Sequence, residues 1–372
     1  MTYTKDTDTK LRSKGLGDKG DKRDNGDKGK TGVCIKATQD EAIAFGLSVV
    51  LQPNFEATKS TTLLTDWLQD VEPAPIWIPL ASRARVTKVM PVLSNPRHYP
   101  ALMQSLCQQV GWNTTVEWQG KSYVLTGVEV DTQALHLLQI VISVTEPLPA
   151  SLGRAIHACC FKWLAVADSA LAELLHQQDI LPITLSLKPG SSRQQMCLRI
   201  GLLQKELLAP LLWGLSQDLD SEISLAGVPC RLGKWVEFPA TSSFEVLSQV
   251  SGQRVITLQF LSPTSFKQSQ VIQPFPLPEL VFGSLLRRWN AFAPVELQFP
   301  LVEWQGQVSA YDLKTQTLKL KGGAEIGTTG WVRYEFPDPE QAAIATVLSH
   351  FAKWAGVGRK TAMGMGQAKV KS

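Results

Sequence analysis

The spacing of apolar and polar residues divides the chain into short strands and helices. In residues 33–134 it predicts a helix around Ala42–Leu51 and a second helix over Tyr99–Val110. It also predicts a hairpin over Thr115–Val128, where two alternating runs flank the turn Gln119-Gly120-Lys121. We interpret residues 33–134 as a small α/β accessory unit, and its pattern indicates no chemistry.

The pattern becomes stronger from residue 135 onwards. An apolar strand over Leu135–Val144 is followed by prolines, and Ser151 is a candidate N-cap for a helix with a buried stripe. The next elements are two strands, a helix and a strand, over Ile183–Leu187, Met196–Leu203, Glu206–Leu215 and Ile223–Val236. The order β-α-β-β-α-β predicts a ferredoxin-like domain over residues 135–240.

The same order of elements begins again in residues 241–372. A strand over Arg254–Leu261 ends at Pro263 and leads to a helix over Glu279–Asn290. Two strands, a helix and a short strand follow, across Val295–Lys321, Gly330–Phe336, Glu340–Trp354 and Gln367–Val370. We therefore predict an α+β fold of two tandem ferredoxin-like (RRM-like) domains, which indicates an internal duplication.

The first 32 residues have a different composition. Lys, Asp and Gly dominate them, and so few apolar side chains cannot offset the entropy lost on ordering. We predict a disordered charged tail over residues 1–32.

No window of the chain approaches the length of an apolar membrane span, and the polar N-terminus lacks the apolar stretch of a signal peptide. We expect a cytoplasmic protein without a membrane partner.

Charge and cysteine content limit the kinds of site. The chain has 37 basic residues (Lys and Arg) and 33 acidic residues (Asp and Glu). Residues 1–32 contain nine of the basic and six of the acidic residues, so the rest of the chain has 28 basic and 27 acidic residues. A polyanion must therefore bind to a local basic surface, because the net charge of the folded part is too small to attract it.

None of the six cysteines forms a C-x-x-C pair and no residues show metal-ligand spacing, so we predict neither a metal nor a cofactor.

The best candidate for a basic surface is the glycine-rich loop, residues 356–366. It contains Gly356, Gly358, Arg359, Lys360, Gly364 and Gly366, and residues 341–372 include no Asp or Glu. Glycine permits positive φ and close backbone approach, so successive N–H groups could cradle phosphate oxygens there. A glycine-rich turn on a solvated face is the alternative. The loop lacks the complete P-loop and G-x-G-x-x-G patterns, so ATP and NAD are not expected. Arg287 and Arg288 are reserve candidates for phosphate contacts.

His157 is the candidate catalytic residue. It follows Ile156 at the edge of the buried helix face, and Arg154 projects from the same side one turn earlier. An imidazole beside a cation and close to a bound phosphate can act as a general base or acid near neutral pH. A purely structural histidine is the alternative. His136, His176 and His350 are weaker candidates, and His350 is the strongest of these three.

Three segments together resemble the CRISPR-associated endoribonucleases that process the repeat transcript, which are members of the RAMP superfamily. The segments are Leu148–His157, Leu258–Phe266 followed by Leu277–Asn290, and the glycine-rich loop. The match covers about residues 135–372. The resemblance implies two ferredoxin-like domains side by side, with CRISPR repeat RNA bound over them.

The reaction that the resemblance implies is metal-independent. The 2′-hydroxyl beside the scissile phosphate attacks it, which leaves a cyclic phosphate and a 5′-hydroxyl and releases mature guide RNAs. His157 falls where many members carry a catalytic histidine, and Arg154 or Lys162 is a candidate partner. The alternative is a non-catalytic RAMP subunit that binds guide RNA among the proteins of an effector complex. His157 favours the nuclease.

Overall fold

The computed structural model describes residues 46–54, 62–66, 68, 74–81, 86–146, 148, 152–192, 194–320 and 323–371. The tail predicted over residues 1–32 and the predicted cap Ser151 lie outside the described residues. Within the described residues, no helix is long and apolar enough to cross a membrane.

Strands and helices alternate along most of the described chain. The strands are β1 (Gly46–Pro53), β2 (Thr62–Leu63), β3 (Ile76–Leu80), β4 (Thr87–Val92), β5 (Thr115–Trp118), β6 (Lys121–Asp131), β7 (Leu135–Val144), β8 (Ile183–Pro189), β9 (Gln195–Leu202), β10 (Glu222–Leu225), β11 (Val228–Ser242), β12 (Val255–Thr264), β13 (Phe266–Gln268), β14 (Val271–Gln273), β15 (Gln307–Leu320), β16 (Gly323–Glu335) and β17 (Ala368–Val370). The α-helices are α1 (Tyr99–Gly111), α2 (Gly153–Ala167), α3 (Ser169–His176), α4 (Leu208–Ser216), α5 (Phe244–Ser248), α6 (Pro278–Phe292) and α7 (Pro339–Ala355).

The helix predicted around Ala42–Leu51 is wrong where the structure describes it. Gly46–Pro53 is the strand β1, in which Leu47, Val49 and Leu51 are fully buried. Such alternate burial is typical of a strand, and β1 pairs with β4 and β6 on its two sides. A short apolar run fits both a helix and a strand, so these long-range partners decided the outcome.

One large sheet contains strands from both the accessory unit and the first predicted domain. Its order is β2-β5-β6-β1-β4-β3-β11-β7-β9-β8, and β10 pairs with β11. The two groups of strands join at β3 and β11, which run parallel with Leu80 opposite Val236. The boundary predicted between residues 134 and 135 therefore separates strands of one sheet, and the division into domains stays a prediction.

Helices α2 and α4 pack together in the core associated with this sheet. The stripe predicted for this helix consists of Leu152, Ile156, Cys160 and Trp163. The last three are buried in α2, and Leu152 is half-buried just before the helix begins. A Cβ on Gly214 of α4 would collide with the backbone carbonyl of Trp163, so only glycine allows the two helices to approach this closely. Burial of each large apolar side chain contributes about 1.5–3 kcal/mol, which holds α2 in a fixed position.

The C-terminal sheet has the order β15-β16-β12-β17, and α6 and α7 pack with it around Trp289, Phe351 and Tyr334. Pro278 suits the first turn of α6. A backbone N–H at that position would have no acceptor within the helix, so proline, which lacks this N–H, loses no hydrogen bond there. The mixed α+β fold predicted from the sequence is confirmed.

The C-terminal part of the chain also contacts the large sheet directly. Thr184 Oγ1 of β8 donates to the carbonyl of Trp354 in α7 at 2.7 Å. A Cβ on Gly153 would collide with the carbonyl of Met363, so the start of α2 lies against the glycine-rich loop. The fold thus brings α2 and this loop, which are about 200 residues apart in the sequence, into contact.

Candidate active-site cleft

A cleft of about 250 Å³ lies where α2, α6 and the glycine-rich loop meet, and we call it the His157 cleft. Its wall contains six of the ten predicted site residues, namely His157, Arg287, Arg288, Gly358, Arg359 and Lys360. The wall, as the described residues form it, does not include Arg154, Gly356, Gly364 or Gly366. The structure therefore brings the candidate base and the candidate cations into one place.

The glycine-rich loop is packed into the protein, so it is not a turn on a solvated face. All four of its glycines have positive φ, between 66° and 90°. A Cβ on Gly358 would collide with the carbonyl of Ser265, and one on Gly366 would collide with the carbonyl of Val357. Gly364 is different, because no atom lies within 4 Å of its Cβ position. Two of the glycines are thus required for close backbone packing.

The N–H groups of these glycines already have acceptors. Gly356 N donates to Ala352 O at 2.9 Å, and Gly358 N donates to Ser284 Oγ at 2.9 Å. The amides of Gly364 and Gly366 donate to the carbonyls of Leu185 and Pro263, at 3.1 and 3.0 Å. These four amides therefore anchor the loop to neighbouring elements, and a role for the glycines in phosphate binding stays a prediction.

Arg359 and Lys360 both pair with one buried carboxylate. Arg359 Nη1 lies 2.6 Å from Glu325 Oε1, and Lys360 Nζ donates to Glu325 Oε2. The Glu325 side chain is 8% exposed, whereas those of Arg359 and Lys360 are 31% and 28% exposed. Glu325 therefore holds the two predicted phosphate-binding cations from the protein interior, and their partly exposed side chains still line the cleft.

Arg287 and Arg288 differ although they are neighbours. Arg287 is exposed, whereas Arg288 is buried and donates to Thr361 Oγ1 at 3.1 Å and to Leu181 O at 3.0 Å. Burial, with a smaller contribution from Arg287, lowers the pKa of Arg288 to about 10. Its guanidinium has a hydroxyl and a carbonyl as acceptors, and its buried Nε has no partner among the described residues. A buried cation of this kind is favourable beside a bound anion.

His157 lies in a stack of three aromatic rings. Its ring centroid is 4.4 Å from that of Phe161, with an interplanar angle of 6°. His176 stacks on Phe161 at 4.0 Å, and the two imidazole centroids are 5.7 Å apart. Burial and, secondarily, the charge of His176 lower the pKa of His157. The His157 imidazole is therefore neutral near pH 7 and able to accept a proton.

The other candidates lie elsewhere. Arg154 is exposed and outside the wall of the cleft, and Lys162 pairs with Asp218 at 3.3 Å. His350 is half-buried in α7, where burial lowers its pKa. His136 is buried and lies 3.1 Å from Asp131. In the described part of the chain, no group of three His, Cys, Asp or Glu side chains is arranged to hold a metal ion.

The family model for CRISPR-associated endoribonuclease Cas6 matches residues 258–368, from β12 to the start of β17. This part of the chain is similar to Cas6. The resemblance stated from the sequence is thus confirmed, and the matched residues include α6, Glu325 and the glycine-rich loop.

Relatives and solved structures support the same family. The Cas6 endoribonuclease of Mycobacterium tuberculosis is 31% identical over 123 residues, which are 32% of this chain and 39% of the relative. The Streptococcus thermophilus Cas6 endoribonuclease is 23% identical over 213 residues, 55% of this chain and 86% of the relative. A solved Cas6 product complex superposes with a TM-score of 0.58 at 26% identity, covering 64% of this chain and all of that chain.

Two residues that contact side chains of the His157 cleft, without lining it themselves, were missed or undervalued in the sequence. The absence of acids in residues 341–372 indicates that any counter-charge for Arg359 and Lys360 comes from elsewhere, but nothing local identifies Glu325. His176 ends the short helix α3, and only the contact between α2 and α3 places it beside Phe161. Both residues act across long distances in the sequence.

Proposed function

We propose that this Cas6-type chain is an endoribonuclease that cleaves CRISPR repeat RNA to mature guide RNAs. The observation that carries the proposal is the His157 cleft, where a neutral imidazole faces a basic wall. Four cations line the cleft, those of Arg287, Arg288, Arg359 and Lys360. Asp179 also lines it and Glu325 pairs with two of the cations, so the formal balance is four minus two, or +2. A phosphate would supply the counter-charge that Arg288 lacks.

We further propose that residues 135–240 and 241–372 form two ferredoxin-like domains. In the first, the strands β11-β7-β9-β8 stand in the order 4-1-3-2 when numbered along the chain. In the second, β17-β12-β16-β15 stand in the same order. This shared strand order supports the duplication. In such a pair of domains, the contact between Gly153 and Met363 would join the first helix of one domain to the glycine-rich loop of the other.

In the proposed reaction His157 is the general base. Its neutral imidazole accepts the proton of the 2′-hydroxyl, and the 2′-oxygen bonds to the adjacent phosphorus. The bond from phosphorus to the 5′-oxygen breaks, and that oxygen takes up a proton, so the products are a cyclic phosphate and a 5′-hydroxyl. Arg359 and Lys360 would stabilise the charge that develops on the phosphoryl oxygens.

The group that protonates the leaving oxygen is one of two candidates. Arg154 was predicted from the sequence, and it lies one turn before His157 on α2. His176 is favoured by geometry, because its imidazole is 5.7 Å from that of His157, centroid to centroid. A second imidazole can hold a proton near neutral pH, whereas a guanidinium releases one only with difficulty.

The proposal is tested by incubating the purified chain with repeat RNA in excess chelator and analysing the product ends. We expect cleavage at one position, with a cyclic phosphate on one product and a 5′-hydroxyl on the other. A strict requirement for magnesium would overturn the metal-independent mechanism. Tight binding of repeat RNA without any cleavage would instead favour the non-catalytic RAMP subunit.

A further inference from the structure

Glu325 forms ion pairs with Arg359 and Lys360, the two cations of the glycine-rich loop. It lies on β16 opposite Leu318 of β15, in the long hairpin of the C-terminal sheet. Its carboxylate is buried, and it contacts Arg359 through one oxygen and Lys360 through the other. Glu325 is not on the wall of the His157 cleft, although both of its partners are.

The backbone of the loop fixes where these two cations begin. Arg359 N donates to Ser265 O at 3.0 Å, and Lys360 adopts the left-handed conformation with φ of 55°. The backbone does not fix where the long side chains end, because both have several rotatable bonds. The carboxylate of Glu325 provides that second fixed point.

We propose that Glu325 is a positioning residue that aims Arg359 and Lys360 at the RNA phosphate, an inference that rests on the proposed function. A guanidinium has five N–H donors and an ammonium has three, so each cation keeps free donors after it pairs with Glu325. Fixing the side chains before RNA binds removes an entropic cost of binding. Glu325 thus favours an anionic ligand although it is itself an anion.

This role predicts effects opposite to those of simple charge. If Glu325 acted only through its charge, removing it would raise the local potential, tighten RNA binding and steepen the dependence of affinity on salt. If it positions the two cations, removing it weakens the phosphate contacts although the chain gains one positive charge. The direction of the change therefore separates the two explanations.

The test compares Glu325→Gln with Glu335→Gln, a matched change at the far end of the same strand. We expect Glu325→Gln to lower the single-turnover cleavage rate constant at saturating repeat RNA by about 10-fold. The slope of log affinity against log salt should become flatter by roughly 0.7–0.9, the contribution of one phosphate contact. Glu335→Gln should leave both quantities at the wild-type values.

The amplitude of the reaction separates positioning from a loss of folded protein. Partial unfolding would reduce the fraction of RNA cleaved by a given amount of protein but leave the rate constant of the folded fraction unchanged. A wild-type rate constant and slope, or tighter binding, in Glu325→Gln would overturn the inference while the proposed function stands. A wild-type chain that neither binds nor cleaves repeat RNA would overturn the proposed function first.

Glu325→Asp decides the question if Glu325→Gln does not fold. Aspartate keeps the charge but is one methylene shorter, so its carboxylate does not reach both cations from the same backbone position. We expect a lower rate constant and a flatter salt slope at unchanged net charge. A wild-type rate constant in a folded Glu325→Asp variant would overturn the inference.

Discussion

Arg288 Nη1 lies 3.1 Å from Thr361 Oγ1, and this hydrogen bond ties α6 to the glycine-rich loop. The same guanidinium donates to Leu181 O just before β8, so one buried side chain connects three segments around the His157 cleft. Arg287, one position earlier, is exposed on the same wall. The two arginines should therefore respond differently to substitution.

We expect Arg288→Ala to lower the free energy of unfolding by about 1–3 kcal/mol, because it leaves buried acceptors unsatisfied. Arg287→Ala should change stability by no more than about 0.5 kcal/mol and flatten the salt slope of RNA affinity by roughly 0.7–0.9. Urea denaturation and RNA titrations at several salt concentrations measure both quantities. Equal loss of stability in the two variants would contradict the assignment of Arg288 as the buried side chain that connects the segments around the cleft.

His157→Ala should lower the cleavage rate constant by about 10²- to 10⁴-fold, because it removes the proposed general base. The RNA affinity should stay within a few-fold of wild type, since the cations of the cleft remain. Single-turnover cleavage and equilibrium binding test the two parts, and His98→Ala, in a remote segment, serves as the control. Full activity in a folded His157→Ala variant would redirect attention to His350.

The pH dependence of cleavage should report the environment of His157. Because burial and the charge of His176 lower the pKa of His157, the acidic limb of the rate profile should lie below the ordinary histidine value of about 6.5. His176→Gln removes a neighbouring positive charge, so it should move that limb to higher pH. An unchanged limb would show that His176 does not influence His157.

The partner of His157 can be identified by comparing single variants. Neither His176 nor Arg154 lies on the wall of the cleft, but the ring of His176 stacks in one group with that of His157. We therefore expect His176→Ala to lower the rate constant at saturating RNA more than Arg154→Ala. A larger effect of Arg154→Ala would restore the partner predicted from the sequence. Circular dichroism of both variants controls for helix content, since each residue lies in a helix.

Alanine substitutions at Gly358 and Gly364 distinguish the cost of backbone strain from the cost of a steric collision. Both have positive φ, so Ala costs backbone strain of about 1–2 kcal/mol at either position. Only at Gly358 does the added Cβ collide with a backbone carbonyl, that of Ser265. We therefore expect Gly358→Ala to destabilise the protein more than Gly364→Ala in urea denaturation. Equal costs would mean that the loop relaxes around the new Cβ.

The sequence alone predicted the elements whose pattern is local and strong. The hairpin of β5 and β6 followed from alternation around Gln119-Gly120, and both turn residues do have positive φ. The boundaries of α1 and α6 were predicted within a few residues from apolar periodicity and proline. Residue type and spacing alone selected the glycine-rich loop and His157 as candidates.

Only the tertiary structure decided the features that depend on partners distant in the sequence. Strand β1 was predicted as a helix because its pairing with β4 and β6 is invisible in a short apolar run. The glycine amides of the loop, predicted to face phosphate, are bonded to acceptors in α7, α6, β8 and β12. Glu325 and His176 come from other elements to contact Arg359, Lys360 and His157. Local patterns do not encode this packing, which sets which side chains meet.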